Sequence, residues 1–254
     1  MHKIDFLIFL CYFELMVPKL EELKIKIFSD GSDKASILEL NKKHYIKGFT
    51  TNPTLMRKAG VTDYEQFAKE LLAEIKDKSI SFEVFSDEFD EMERQAKKIA
   101  SWAENVYVKI PITNTKGESS FDLVKKLSAD GIKVNVTAIL TLEQVQHILP
   151  ALKPGVPSII SVFAGRIADT GRDPIPLMKE AVRIVSEVDG AELLWASSRE
   201  LLNIFQAEEC GCHIITVTPD ILKKVDLIGK DLTEYSLETV KTFYEDGKAA
   251  GYQL

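Results

Sequence analysis

Lys109 stands in the run Val106-Tyr107-Val108-Lys109-Ile110-Pro111, a cation with apolar neighbours on both sides. An amine carried into an apolar interior loses hydration, which disfavours the ammonium form and lowers its pKa. A neutral lysine amine is a nucleophile for a carbonyl and gives a Schiff base. Strand parity alone does not say which face of this run is inner, and a lone strand-end lysine more often snorkels to solvent or pairs with a carboxylate. Its neighbours on other apolar runs change that balance. Asp30 and Glu83 are carboxylates able to move protons to and from a substrate and a water, while Asn52, Asn135 and Thr137 can hold the hydroxyls of a polyol.

Ser161, Arg166, Ser197 and Arg199 form a second group, two hydroxyls and two guanidiniums at the ends of neighbouring runs. Guanidinium donors fork onto the oxygens of a phosphate dianion. The competing use is a pair of surface arginines bonded to Asp169, Asp173 or Glu200, where an ion pair is worth little.

Bringing these residues together demands a scaffold, and the pattern of the chain supplies one. Eight short β-branched runs recur: Ile25–Ser29, Gly48–Thr51, Ile80–Phe85, Val106–Ile110, Lys133–Ala138, Ser158–Phe163, Leu193–Ala196 and His213–Val217. Segments of helical period separate them. Tyr64, Phe67, Ala68, Leu71, Leu72 and Ile75 form the apolar face of one crossover helix. Thr62 with Glu65 and Thr141 with Gln144 read as capping boxes, and Thr218 precedes Pro219 at a first helical position. Gly48, Gly131, Gly190 and Gly211 each follow a helical stretch and read as left-handed C-terminal caps. Pro157–Phe163 is continuously apolar apart from its serines, as a strand covered on both faces requires.

Eight β-then-α units in 254 residues are the size of a parallel (β/α) TIM barrel, with the helical stretch Ser236–Ala250 left over as an extra C-terminal helix. An open doubly wound sheet is the alternative, but the first run ends in Ser29-Asp30-Gly31-Ser32, without the glycine pattern of a dinucleotide turn. The expected division is an N-terminal extension over 1–24, in whole or part an effect of the start site, and one barrel with its C-terminal helix over 25–254. In a barrel, the chemistry sits at the C-terminal ends of the strands. There Asp30, Thr50, Thr51, Asn52, Glu83, Lys109, Asn135, Thr137, Ser161, Ser197 and the two arginines interrupt otherwise apolar strands.

Composition narrows the function classes. With 45% hydrophobic and 28% charged residues, the chain builds a sizeable core, and disorder or a disulfide scaffold is excluded. A net charge of −7 with no basic block disfavours nucleic acid and anionic membranes as partners, though not a phosphate held by one or two placed cations. Cys11, Cys210 and Cys212 cannot all pair within the chain, which fits a reducing, cytoplasmic setting. None of His2, His44, His147 and His213 forms a metal-type pair, so no metal is expected. Phe6–Val17 is apolar but short for a membrane span, which needs about 20 residues, and contains Glu14. It reads as an added amphipathic helix, or as sequence upstream of a true start at Met16.

The segments Thr50-Thr51-Asn52-Pro53-Thr54, Val108-Lys109-Ile110-Pro111, Asn135-Val136-Thr137, Ser161-Val162-Phe163-Ala164-Gly165-Arg166-Ile167 and Ala196-Ser197-Ser198-Arg199 resemble, in order, the transaldolases. The resemblance is strongest to the short-chain branch that includes fructose-6-phosphate aldolases, and it runs from about Ile25 to the C-terminus. It implies a Schiff-base enzyme without metal or organic cofactor, acting on sugar phosphates in the pentose phosphate pathway. By resemblance Lys109 attacks the ketose carbonyl, Asp30 takes the hydroxyl proton, and Glu83 with Thr137 holds a proton-shuttling water. Thr50, Asn52, Asn135, Phe163 and Ser197 border the bound sugar, and Ser161, Arg166 and Arg199 hold the acceptor phosphate. The resemblance also implies a homo-oligomer, a ring of five or a pair of such rings, with the last helix packing on a neighbour.

Within that family, Glu83 stands where the aldolase branch resembles a glutamine, and Phe163 where it carries a tyrosine that helps release free dihydroxyacetone. Both look like transaldolase. Ser198 and Trp195 depart from the family pattern and are expected to alter the phosphate end of the pocket. The expected reaction moves a dihydroxyacetone unit from fructose 6-phosphate or sedoheptulose 7-phosphate to an aldose phosphate. The alternatives are an aldolase that releases dihydroxyacetone and a silent sugar-phosphate binder.

Overall fold

Eight short strands pair in chain order, each parallel to the next, and the eighth returns to the first to close a barrel. In this computed structural model, residues 18–253 are described, apart from Ser32. The strands are β1 (Lys26–Asp30), β2 (Ile46–Thr50), β3 (Ser79–Glu83), β4 (Val106–Pro111), β5 (Val134–Ile139), β6 (Ser158–Val162), β7 (Ala191–Trp195) and β8 (Ile214–Val217). Between them lie α1 (Lys34–Asn41), α2 (Pro53–Lys58), α3 (Tyr64–Glu74), α4 (Phe89–Ala100), α5 (Phe121–Ala129), α6 (Leu142–Ile148), α7 (Ala164–Asp169), α8 (Ile175–Val185) and α9 (Leu202–Glu209). The short α10 (Pro219–Leu222) follows β8, and α11 (Leu232–Ala249) is the extra C-terminal helix. The TIM barrel read from the sequence is therefore the fold.

The chain forms two compact units. Leu23–Lys223 holds the barrel, and the other unit, of which residues 18–22 and 224–253 are described, holds α11. The expectations for Phe6–Val17 and Met16 concern residues outside the described ones. Among the described residues, no helix is long and apolar enough to cross a membrane.

Local chemistry sets the helix ends. Thr141 and Gln144 form the expected capping box of α6, and Thr218 with Pro219 opens α10. At α3 the expectation is off by one residue: Asp63, not Thr62, caps the helix by accepting from Gln66 N–H at 2.9 Å, because a carboxylate competes well for that donor. α11 likewise begins at Leu232 rather than Ser236, since Asp231 caps it by accepting from Glu234 N–H.

Gly131 and Gly211 take φ near +80° directly after the C-caps of α5 and α9, as expected, whereas Gly190 takes φ 82° in the turn before β7, beyond Ser186 that ends α8, and Gly48 lies inside β2. Its reason is space. A Cβ at Gly48 would stand 2.6 Å from the Phe28 ring, which fills the middle of the barrel. Phe28, Ile159, Leu194, Ala196 and Ile214 pack there with Tyr107 and Phe163, so the barrel interior is a solid apolar plug. Polar residues above this plug stand at the C-terminal strand ends.

Candidate active site

Alternation along β4 puts Tyr107 and Lys109 on the same inner face, Tyr107 against the plug and Lys109 above it. The register then fixes the lysine's neighbours: Lys109 lies beside Glu83 of β3 and Asn135 of β5. Lys109 is 7% exposed, and its ammonium donates to Thr51 O at 2.8 Å and lies 2.9 Å from Glu83 Oε2. The inward lysine is thus paired with a carboxylate inside the site rather than directed to solvent.

A cavity of about 460 Å³ opens at this end, lined by Asp30, Thr50, Asn52, Glu83, Lys109, Thr137, Ser161, Phe163, Arg166 and Ser197, among others. Ten of the twelve site residues expected from the sequence therefore share one cavity. Asp30 ends β1, where burial pushes its carboxyl above the usual range, opposed mainly by the charge of Lys109 and by the hydroxyl of Thr50. Thr50 Oγ1 donates to Asp30 Oδ1 at 2.9 Å and, its proton so used, accepts from Thr216 Oγ1 at 2.5 Å. Asn52 caps α2 through Leu55 N–H at 2.9 Å and presents its amide to Asp30.

Across the cavity, β5 bulges. Its pairing with β6 shifts between Val136 and Ile139, and Ala138 takes φ 63°. Such a bulge re-aims side chains at a strand end. Both Thr137 and Ala138 face the cavity, and Thr137 Oγ1 is buried without a protein partner. At the other end of the cavity, the Arg166 guanidinium lies 5.0 Å from the centre of the Phe163 ring.

Two expected residues stand elsewhere. Asn135 is fully buried beneath the cavity, donating to Ser81 Oγ at 3.1 Å and accepting from Ser161 Oγ at 2.6 Å. It braces Ser161 from below and is not itself part of the cavity lining. Arg199 lies outside the cavity lining, its Nε 3.0 Å and its Nη2 2.5 Å from the Asp169 carboxylate. That is the competing surface pairing with Asp169. The departures at Ser198 and Trp195 also fall outside the lining: Ser198 Oγ donates to Thr216 O, and Trp195, one residue from inward Leu194, is buried on the opposite strand face.

Thr216 of β8, on the cavity wall, is among the lining residues that sequence reasoning missed. Its signal was a hydroxyl interrupting Ile214-Ile215-Thr216-Val217 at inward parity. Among the described residues, no group of three or more His, Cys, Asp or Glu is placed to hold a metal ion.

The model of the transaldolase/fructose-6-phosphate aldolase family matches residues 27–254. The chain belongs to that family. Relatives described as "probable transaldolase" include one from Streptococcus agalactiae, 36% identical over 216 residues, covering 85% of this chain and 95% of its own length. Another, from a Thermoanaerobacter species, is 34% identical over 231 residues, covering 91% and 100%. Solved structures share the fold at low identity. The tryptophan synthase α subunit from Campylobacter jejuni superposes with a TM-score of 0.54 at 16% identity, covering 81% of this chain and 90% of its own. KGPDC from Streptococcus mutans gives 0.50 at 14% identity, covering 76% and 88%. As a family member the protein is a transaldolase-type enzyme of the sugar-phosphate-binding kind.

Proposed function

We propose that this enzyme is a transaldolase that moves a dihydroxyacetone unit from a ketose phosphate to an aldose phosphate through a Schiff base on Lys109. The observation that carries the proposal is the buried Lys109 amine, 2.9 Å from Glu83 Oε2, on the wall of a cavity that it shares with Asp30. Glu83 accepts the ammonium proton, and the freed amine attacks the C2 carbonyl of fructose 6-phosphate or sedoheptulose 7-phosphate. Loss of water gives the protonated imine, with Glu83 and Thr137 holding the water that carries the protons.

Asp30 takes the C4 hydroxyl proton as the C3–C4 bond breaks and its electron pair moves into the imine, leaving an enamine and a free aldehyde phosphate. A carboxyl raised by burial suits this exchange, because it can return the proton when the enamine attacks the next aldehyde. Hydrolysis of the new imine restores Lys109. Thr50, Asn52 and Ser197 border the three-carbon unit, while Ser161 and Arg166 receive the phosphate. Asn135 acts through Ser161, and Arg199 reaches phosphate only by leaving Asp169.

Phe163 favours transfer over release of dihydroxyacetone, since the cavity wall at that position offers no phenol to protonate the bound carbanion. The apolar side chains that α11 exposes, among them Leu237, Val240 and Phe243, support a homo-oligomer.

The test is incubation with fructose 6-phosphate, borohydride reduction and peptide mass spectrometry. A dihydroxyacetone-derived mass on Lys109 is expected. Unmodified Lys109 in folded protein refutes the mechanism for this sugar and leaves a binding role.

A further inference from the structure

Where β2 leaves the barrel, one residue of β3 loses its ladder partner and a side chain replaces it. β2 and β3 pair from Gly48 with Ser79 to Thr50 with Ser81, and Thr51 N–H still donates to Ser81 O at 3.1 Å. At Asn52 the chain turns into α2. Alternate residues of β3 direct their backbone groups to opposite sides: Val84 N–H donates to Lys109 O of β4, so both backbone groups of Glu83 face the place β2 has left. The Tyr64 hydroxyl fills it, donating to Glu83 O at 2.9 Å and accepting from Glu83 N–H at 2.8 Å.

Tyr64 is itself firmly held. It opens α3, and its ring packs edge-on against Phe82 and Phe85, with Trp102 tilted beside it at 6.0 Å. Burial pushes the phenol well above its ordinary value, which keeps it protonated and donating. The hydroxyl also lies beside Thr51, whose carbonyl accepts from the Lys109 amine. One phenol therefore abuts the two residues that bind the Lys109 amine.

We infer that Tyr64 is a positioning residue of the active site, its hydroxyl fixing the Glu83 backbone so that the carboxylate meets the Lys109 amine. This rests on the Schiff-base reading of Lys109. A small misplacement of a reacting group suffices to slow a reaction by orders of magnitude, so loss of this brace acts on turnover rather than on substrate binding.

The experiment is Tyr64→Phe, which keeps the ring, made in the wild type and in Glu83→Gln. The readouts are kcat and KM with fructose 6-phosphate and erythrose 4-phosphate, the pH dependence of kcat, and the rate of borohydride-trapped adduct at Lys109. In the wild-type background, kcat and the trapping rate are expected to fall about tenfold, KM to stay within about twofold, and the pH profile to move. In Glu83→Gln, the same change is expected to lower the trapping rate by less than about twofold, because the carboxylate that the brace positions is gone. Equal losses in both backgrounds, or an unmoved pH profile, overturn the inference.

Trp102→Phe loosens the same ring cluster without touching the hydrogen bonds. It is expected to lower thermal stability and leave the pH profile in place, and a profile moved as far as by Tyr64→Phe counts against the inference. Should Tyr64→Phe fail to fold, 3-fluorotyrosine at position 64 keeps the shape and strengthens the donor, and an unmoved profile is again a refutation. A wild type with no adduct at Lys109 rejects the Schiff-base reading and this role with it. A trapped wild type with Tyr64→Phe unaltered rejects the role alone.

Discussion

Gly165 lies so close to Ser197 that a Cβ built on it would stand 1.6 Å from the Ser197 carbonyl oxygen and 3.3 Å from Arg199 Cγ. Ser197 itself takes φ 60°, a left-handed conformation that costs a residue with a side chain about 1–2 kcal/mol. Gly165 N–H donates to Ala196 O at 3.3 Å, so the end of β6 and the end of β7 are drawn together at this point. The contact places Arg166, on the first turn of α7, and Ser197 on the same cavity wall.

Gly165→Ala must therefore push the two strand ends apart, since the obstacle is backbone and cannot rotate away. Overpacking of this kind costs about 1–3 kcal/mol of stability. We expect a lower thermal midpoint together with a loss in kcat/KM for fructose 6-phosphate of roughly 10-fold to 100-fold. A variant that melts and turns over like the wild type would show that the strand ends separate without cost.

The two arginines separate by the same geometry. Arg166 lines the cavity, whereas Arg199 spends Nε and Nη2 on Asp169. Arg166→Ala is expected to raise KM for phosphorylated donors by roughly 10-fold to 100-fold, the value of one or more charge-assisted hydrogen bonds. Arg199→Ala is expected to change it by less than about threefold, because its bonds to Asp169 are exposed and contribute little. Steady-state kinetics on both variants decide it, and the reverse order would mean that phosphate draws Arg199 away from Asp169.

The barrel and most of its site were legible in the sequence because each strand was punctuated by a polar residue near its end. Lys109, Glu83 and Asp30 interrupt apolar runs and so announce themselves, and closure of the barrel then brings them together. Thr216 was missed although it has the same signature, because a threonine is also an ordinary strand former. For Arg199 the sequence shows only that a guanidinium can bind phosphate, while the fold adds that Asp169, one turn after Arg166 on α7, pairs with it. Gly48 was read as a cap because a glycine before a β-branched run fits either role, and the Phe28 ring that requires it lies on another strand.

The proposed preference for transfer over release can be tested at Phe163. Its ring lines the cavity beneath Arg166, and Phe163→Tyr would bring a phenol to the wall without changing the packing of the ring. The expected outcome is release of free dihydroxyacetone from fructose 6-phosphate, in the absence of acceptor, raised about tenfold or more by a general acid where none stood. The product is measured by coupled reduction. Unchanged release would mean that proton delivery is not what limits it.

Asp30 offers a test in which activity and stability move in opposite directions. Its carboxyl is raised by burial above the ordinary value of 3.8, so the folded protein binds this proton more tightly than the unfolded chain does. The contribution to stability is thus complete below that value and is lost as pH rises through the folded pKa. Above the folded pKa the buried carboxylate is a burden on the fold. Asp30→Asn removes the ionisation while Lys109 keeps Glu83 at 2.9 Å. The variant is expected to melt higher than the wild type at pH 7, by about 2–4 °C for each kcal/mol gained in a domain of this size, with the difference shrinking toward pH 4. Turnover is expected to fall by about 10²-fold to 10⁴-fold, the usual contribution of a general base. Thermal unfolding followed from pH 4 to pH 8 reads the sign directly: a variant that is less stable at pH 7 would mean that the attraction of Lys109 outweighs the burial of the carboxylate.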